Sequence, residues 1–180
     1  MEAGRFLHSA FLEEGLEALA GYCRAGGIPL EVLTRGPQTW VEGLLRVRRI
    51  GVARVTGNRA RPAGGSPRIG WLPELELVRT NADCRLCPCC RRNAMLSGAS
   101  DDEVIAYAGE EASGACAAHH ADLVFARGRL QARCREENIT SRPYGSLRDI
   151  RSHLALLGSR GVFRKRLSAE HLRRRAFIAE

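Results

Sequence analysis

Apolar side chains near the start of the chain recur at intervals of three and four residues. They are Phe6, Leu7, Ala10, Phe11, Leu16 and Leu19. This spacing places them on one face of a helix, so the pattern predicts an amphipathic helix over residues 2–22 that ends at Gly26 and Gly27. Residues 30–35, directly after Pro29, predict a second, short helix packed beside the first.

Polar and apolar residues alternate further along, where arginine alternates with leucine and valine over residues 45–48. A period of two is typical of a strand, so we expect two strands hinged near Gly51 and a third strand over residues 71–80. These strands would form a small antiparallel sheet over about residues 44–80. The alternative is that residues 38–50 form a helix, because their apolar spacing fits the helical period nearly as well.

Helical signals return in the second half of the chain. Ser100 and Glu103 form a capping box that predicts a helix to about residue 112, and residues 121–138 have a helical pattern. Ser146 and Ser168 are predicted to cap two further helices, the first of which carries a stripe of leucine and isoleucine on one face.

Cysteine and histidine are concentrated between residues 84 and 120, which hold five of the seven cysteines and two of the five histidines. Thiolate and imidazole are the ligands that Zn²⁺ prefers. Cys87 and Cys90 have the Cys-x-x-Cys spacing at which both sulfurs reach one ion, and Pro88 stiffens the turn between them. Cys84 with Cys87 is the alternative pair.

The second half of the predicted zinc site follows about 25 residues later. Cys116 is expected at the start of a helix, and either His119 or His120 then lies one turn along the same face. Four protein ligands leave no open position, so this site would be structural. A second site would need the remaining candidates, which are Cys84, Cys89, Cys134 and His153.

The net charge of +8 arises entirely in the last third of the chain. Residues 1–120 hold 14 arginines and 14 acids, whereas residues 121–180 hold 13 arginines and one lysine against 6 acids. Arginine forks onto phosphate groups, so we expect these basic stretches to contact nucleic-acid phosphates. The candidate contact residues are Arg46, Arg48, Arg49, Arg54, Arg164, Lys165, Arg166, Arg173, Arg174 and Arg175.

Several functional classes are not indicated. The sequence has no run of 18 apolar residues and no basic stretch that leads into an apolar one, so we expect neither a membrane span nor secretion, and a cytoplasmic or nuclear location. It shows no nucleophilic triad and no phosphate-binding loop. Glu110 and Glu111 are adjacent acids without a recognisable catalytic geometry. We therefore expect a protein that is not an enzyme.

Residues 116–123, with the sequence CAAHHADL, follow the cysteine cluster and precede an arginine-rich helical segment. Over residues 84–135 this arrangement resembles the small cysteine-rich proteins of plus-strand RNA plant viruses. Members of that family bind zinc and RNA and suppress host RNA silencing. The resemblance implies the same roles here, and it implies His120 rather than His119 as the metal ligand.

Together these patterns predict an α+β fold with a helical N-terminal part, a small antiparallel sheet, a treble-clef-like zinc module and a basic helical C-terminal arm. The helical part and the sheet occupy residues 1–80, the zinc module residues 81–140 and the basic arm residues 141–180 of one compact domain. The main functional hypothesis is a zinc-stabilised protein that binds nucleic acid, RNA in preference to DNA. The alternative is a zinc-stabilised adaptor that docks a protein partner on its N-terminal helix.

Overall fold

The computed structural model describes residues 13–61, 74–76, 90–100 and 102–178. The chain forms two compact units that divide between Cys90 and Arg91. Each unit has its own three-stranded sheet. In the described ranges no helix combines the length and the apolar character needed to cross a lipid bilayer.

The first unit is a helix followed by a strand–helix–strand arrangement and a short third strand. Its elements are α1 (Leu16–Ala25), β1 (Glu31–Pro37), α2 (Gln38–Val47), β2 (Arg54–Arg61) and β3 (Glu74–Glu76). Strands β1 and β2 are parallel, with Val32 opposite Val55, and β3 pairs antiparallel to β2. Helix α1 buries Leu19, Ala20 and Cys23.

The prediction of a wholly antiparallel sheet over residues 44–80 is wrong: β2 pairs in parallel with β1, and the antiparallel pairing in the described residues is that of β2 with the short β3. Residues 38–47 form helix α2, which was the alternative interpretation, and residues 31–37 form strand β1 where a helix was predicted. A parallel pair such as β1 and β2 needs a crossover, and α2 supplies it. The alternation of arginine with leucine therefore belongs to an amphipathic helix that buries Leu45.

The second unit has a sheet in which every pairing is parallel. Its elements are α3 (Arg91–Leu96), β4 (Ala106–Gly109), a 3₁₀ turn (Ala112–Gly114), α4 (Ala115–His120), β5 (Leu123–Ala126), α5 (Gly128–Glu136), β6 (Arg142–Pro143), α6 (Leu147–Ser159) and α7 (Leu167–Ile178). Many of its fully buried side chains are short, which lets the elements pack closely. The alanines with no exposed surface are Ala94, Ala117, Ala118, Ala121, Ala126 and Ala169.

Of the four helices predicted in this unit, the one after Ser100 is wrong, the one over residues 121–138 is confirmed only as α5, and the last two are confirmed as α6 and α7, although α7 begins before Ser168. Ser100 N does donate to Glu103 Oε2 at 2.9 Å, but the chain then enters β4 and not a helix. Residues 123–126 form β5, because a strand buried inside a parallel sheet is a continuous apolar run that periodicity cannot distinguish from a helix. Ser146 does cap α6, through a capping box with Asp149.

A buried ion pair between Asp122 and Arg173 joins distant parts of the second unit, and the two side chains are 0% and 4% exposed. Asp122 Oδ1 accepts bonds from the Arg166 backbone N–H at 2.8 Å and from Arg173 Nη2 at 3.1 Å. Asp122 Oδ2 accepts from the Ile105 N–H at 2.8 Å. Both carboxylate oxygens are therefore saturated by groups from before β4 and from the C-terminal region.

The same two arginines cap the end of α4. Arg166 Nη2 donates to the carbonyls of Ala118 at 2.6 Å and His119 at 2.8 Å, and Arg173 Nη1 donates to the His120 carbonyl at 2.6 Å. The last carbonyls of a helix have no partner within the helix and carry partial negative charge. The guanidinium groups satisfy them and attach the C-terminal region to α4.

Replacing Gly57 by alanine should destabilise the first unit by about 1–3 kcal/mol, because a Cβ there would lie 2.5 Å from Thr34 Cγ2 and 3.0 Å from the Gly36 carbonyl. Gly21→Ala is the matched control, since its Cβ would meet nothing within 4 Å and should stabilise α1 by about 0.5–1 kcal/mol. Urea unfolding followed by tryptophan fluorescence measures both. Equal effects of the two substitutions would show that the close approach of β2 to β1 is wrong.

Replacing Asp122 by asparagine should cost about 3–5 kcal/mol, because it leaves the buried Arg173 cation without its counter-charge. The exposed Glu136→Gln change should stay within about 0.5 kcal/mol of the parent. Urea unfolding gives both values, and hydrogen exchange should locate the loss in residues 91–178. An Asp122→Asn variant as stable as the parent contradicts the role of this pair.

Candidate functional site

The carboxyl ends of β4 and β5 meet at one edge of the second sheet. The two strands run parallel, with Gly109 opposite Ala126, so the residues that follow them emerge side by side. Glu110 and Glu111 follow β4, and Arg127 follows β5. We call these positions, together with the groups they contact, the β4–β5 edge. In open α/β sheets ligands bind at this end of the strands.

Arg127 and Glu110 form an ion pair at the β4–β5 edge. Both Arg127 Nε and Nη2 donate to Glu110 Oε2, at 3.1 and 3.0 Å. Arg127 Nη1 donates to the Gly145 carbonyl at 3.1 Å, and its guanidinium lies 5.0 Å from the centre of the Tyr144 ring. Arg127 is thus fixed on three sides and holds Glu110 in place.

The backbone at Gly128 brings the Glu110 side chain against the start of α5. Gly128 has a φ of 54°, which favours glycine, and a Cβ there would lie 3.0 Å from Glu110 Cγ. The Leu130 N–H donates to the Glu110 carbonyl at 2.7 Å. The Glu110 side chain and its carbonyl therefore both lie against the first turn of α5.

A second cluster, formed by Arg91, Ser113 and Glu111, lies at the same edge. Arg91 Nη1 donates to Ser113 Oγ at 2.6 Å, and Arg91 Nη2 donates to Glu111 Oε2 at 3.0 Å. The Arg91 side chain is 14% exposed and that of Glu111 is 46% exposed. We call these three residues the Arg91 cluster. It combines a fixed cation and a hydroxyl with a carboxylate that faces solvent.

The predicted zinc module is wrong for the part of the chain that can be described. Among those residues no group of three or more His, Cys, Asp and Glu side chains lies together as metal ligands. His119 Nε2 is bonded to Glu137 Oε2 at 2.7 Å, and His120 Nδ1 donates to the Cys116 carbonyl at 2.8 Å. Cys90 is buried. The remaining predicted ligands of this site, Cys84 and Cys87, lie outside the described residues.

The second predicted metal site stays a prediction, because only two of its four candidates, Cys134 and His153, lie in the described part of the chain. Cys134 is buried, which raises the pKa of its thiol, and it bonds to Ser141. His153 packs edge-on against Phe125 with 5.7 Å between ring centres, and burial lowers the pKa of its imidazole. In the described part of the chain both residues lie in packed surroundings, and His153 Nε2 is buried without a hydrogen-bond partner. Cys89, like Cys84, is outside the described residues.

The arginines predicted to bind nucleic acid have several different environments. Arg173 is buried and Arg166 is half-buried, and both face inward to Asp122 and α4. Arg54 pairs with Glu31 at 2.7 Å and Arg174 with Glu170 at 3.0 Å. The exposed ones are Arg46, Arg48, Arg49, Arg164, Arg174 and Arg175, and Lys165 is half-buried. The charge surplus thus includes cations that stabilise the fold.

Comparison with known proteins finds similarity to bacterial phosphatases, and no family model matches the chain. The chain is 24% identical over 144 residues to a 2-hydroxy-3-keto-5-methylthiopentenyl-1-phosphate phosphatase of Lysinibacillus sphaericus (strain C3-41). The matched region covers 79% of this chain and 62% of that protein. It is also 26% identical over 151 residues to a phosphatase of the same name from Geobacillus thermodenitrificans (strain NG80-2). That match covers 84% of this chain and 66% of the relative. The chain thus spans less than two thirds of these relatives.

This similarity corrects the functional hypotheses drawn from composition. The interpretation of the chain as a nucleic-acid-binding or adaptor protein without enzymatic activity is wrong, and so is the silencing role, because the relatives are named as enzymes. Docking of a protein partner on the N-terminal helix stays a prediction. The residues that sequence reasoning missed are Glu110, Glu111 and Arg127. Their signal was a short apolar run followed by a charged residue, which occurs twice, at 106–110 and 123–127.

Stability should decrease as the pH falls below about 6.5, the usual pKa of histidine. Burial is the main cause that lowers the pKa of His120, opposed by its bond to Cys116 and aided by nearby Arg92, His119 and Arg173. The unfolded chain therefore takes up a proton at higher pH than the folded one. The contribution of His120 to stability is complete above the pKa that it has in the unfolded chain. It is lost as the pH falls towards the lower pKa that His120 has in the folded chain.

Thermal unfolding at pH 7.5 and 5.5 tests this titration. His120→Asn, which keeps a donor for the Cys116 carbonyl, should show a smaller difference between the two pH values than the parent. His171→Gln is the control at an exposed position and should behave as the parent does. An unchanged pH difference in His120→Asn would exclude His120 as a source of the effect.

Proposed function

We propose that the chain is an enzyme that hydrolyses the phosphate ester of a small organic molecule, with the ester bound at the β4–β5 edge. The observation that carries this proposal is the pairing of two arginines with two carboxylates at the carboxyl end of parallel strands. Similarity to proteins named as phosphatases supports the same chemistry. The substrate of those relatives, a keto-pentenyl phosphate, is one member of the proposed substrate class.

Hydrolysis of such an ester forms a bond between a water oxygen and phosphorus and breaks the bond from phosphorus to the ester oxygen. The water loses a proton, and the departing alkoxide gains one through the solvent. Negative charge spreads over the terminal phosphate oxygens in the transition state, so fixed cations next to them lower the barrier. Arginine suits this position because its planar fork matches two phosphate oxygens.

Glu110 is the group that we propose takes the proton from water. Its Oε2 is held by two donors of Arg127, so the carboxylate has a fixed orientation. The side chain of Glu110 is 58% exposed, which gives water access. Arg127 is then a positioning residue, since its own guanidinium is tied to the backbone and to Tyr144.

Release of inorganic phosphate from p-nitrophenyl phosphate and from the relatives' substrate tests the proposal. The parent chain should hydrolyse at least one of them, and Glu110→Gln should lower kcat by about 100-fold or more, because general-base catalysis typically contributes that much. Glu136→Gln, which removes the same charge from an exposed ion pair in α5, should leave kcat unchanged.

Two results would contradict the proposal. One is a folded parent chain that releases no phosphate from any ester in the panel. The other is a Glu110→Gln variant with the same kcat and the same pH profile as the parent, which would remove Glu110 from the proposed chemistry.

A further inference from the structure

We infer that Arg91 and Ser113 form the subsite for the phosphate group, and that Glu111 occupies this subsite as an internal competitor until a phosphate displaces it. This inference rests on the proposed function, because it names the side chains that hold the phosphate. It makes Glu111 a specificity residue: a ligand enters only if its anionic group binds Arg91 better than a carboxylate does.

The geometry of the Arg91 cluster is that of an anion site with the anion already present. Arg91 Nη1 and Nη2 point at Ser113 Oγ and Glu111 Oε2, at 2.6 and 3.0 Å. Ser113 Oγ and Glu111 Oε2 are themselves 3.5 Å apart. The carboxylate oxygen therefore lies where one oxygen of a bound phosphate would meet both the guanidinium and the hydroxyl.

The cation and the carboxylate of the Arg91 cluster differ in their exposure to solvent. The Arg91 side chain is largely buried at 14% exposure, whereas that of Glu111 is 46% exposed. A carboxylate that swings outward from a half-exposed position recovers hydration, while a guanidinium left without an anion would lose its charge-assisted bonds. Displacement of Glu111 by a phosphate is consequently the exchange that this cluster favours.

The other ion pair of the edge does not have this property. Arg127 is bonded to the Gly145 carbonyl and stacked on Tyr144, and Glu110 lies against Gly128 at the start of α5. Opening that pair would disturb the backbone corner after β5. The Arg91 cluster is therefore the place where a phosphate can enter without a rearrangement of the sheet. A phosphate has more terminal oxygens and more charge than a carboxylate, so it can use both donors at once.

Isothermal titration with inorganic phosphate, in a buffer with a chelator to exclude metal-mediated binding, tests the inference. Glu111→Gln should bind phosphate about 10-fold more tightly than the parent, because the competing carboxylate is gone. Arg91→Lys, which keeps the charge but loses the planar fork of the guanidinium, should bind phosphate about 10-fold more weakly than the parent. Ser113→Ala should also weaken phosphate binding, by a smaller factor. Glu136→Gln is the charge-matched control and should bind as the parent does.

The outcomes separate this inference from the proposed function. If the parent hydrolyses esters but Glu111→Gln and Glu136→Gln bind phosphate equally, the internal competitor is wrong and the enzyme stands. If Glu111→Gln binds more tightly while no ester is hydrolysed, the subsite stands and the enzymatic proposal falls. Absence of both binding and hydrolysis in a folded chain overturns both. Melting temperatures of each variant show that a loss of binding is not a loss of fold.

Discussion

The buried carboxylate of Asp122 is the constraint on which the second unit depends. It accepts the Ile105 N–H just before β4, and it lies itself just before β5, so it fixes the starts of both strands at one level. Because β4 and β5 each have four residues, their ends are level too. Glu110 and Arg127 can meet for that reason. The Asp122 carboxylate at the start of the two strands therefore helps to align the residues that follow their carboxyl ends.

Arginine has different uses in this chain, and burial distinguishes them. Arg173, whose side chain is 4% exposed, neutralises Asp122 and caps α4, so it cannot contact an external anion without loss of the fold. Arg91 is partly buried and paired with a carboxylate that can leave. Arg175 and Arg164 are exposed. Net charge counts all of these cations equally, which is why a charge surplus alone suggested a nucleic-acid surface.

Sequence patterns predicted local features better than the arrangement of the sheets. The Ser146 cap of α6 was predicted because a capping serine acts on backbone groups in the first turn of its own helix, so its signal is local. Strand β5 was not, because its burial comes from neighbours distant in sequence. The zinc prediction relied on ligand spacing, but spacing does not reveal that Glu137 already bonds His119. Glu110 and Glu111 acquire a geometry only when β4 and β5 pair.

A crystal structure of the chain with tungstate, a heavy-atom analogue of phosphate, tests most directly whether the β4–β5 edge is a phosphate site. We expect the anomalous signal next to the Arg91 guanidinium and Ser113 Oγ, with Glu111 turned out to solvent and the Asp122 to Arg173 pair unchanged. An anion bound elsewhere, while Glu111 keeps its bond to Arg91, would contradict the assignment of phosphate binding to this edge.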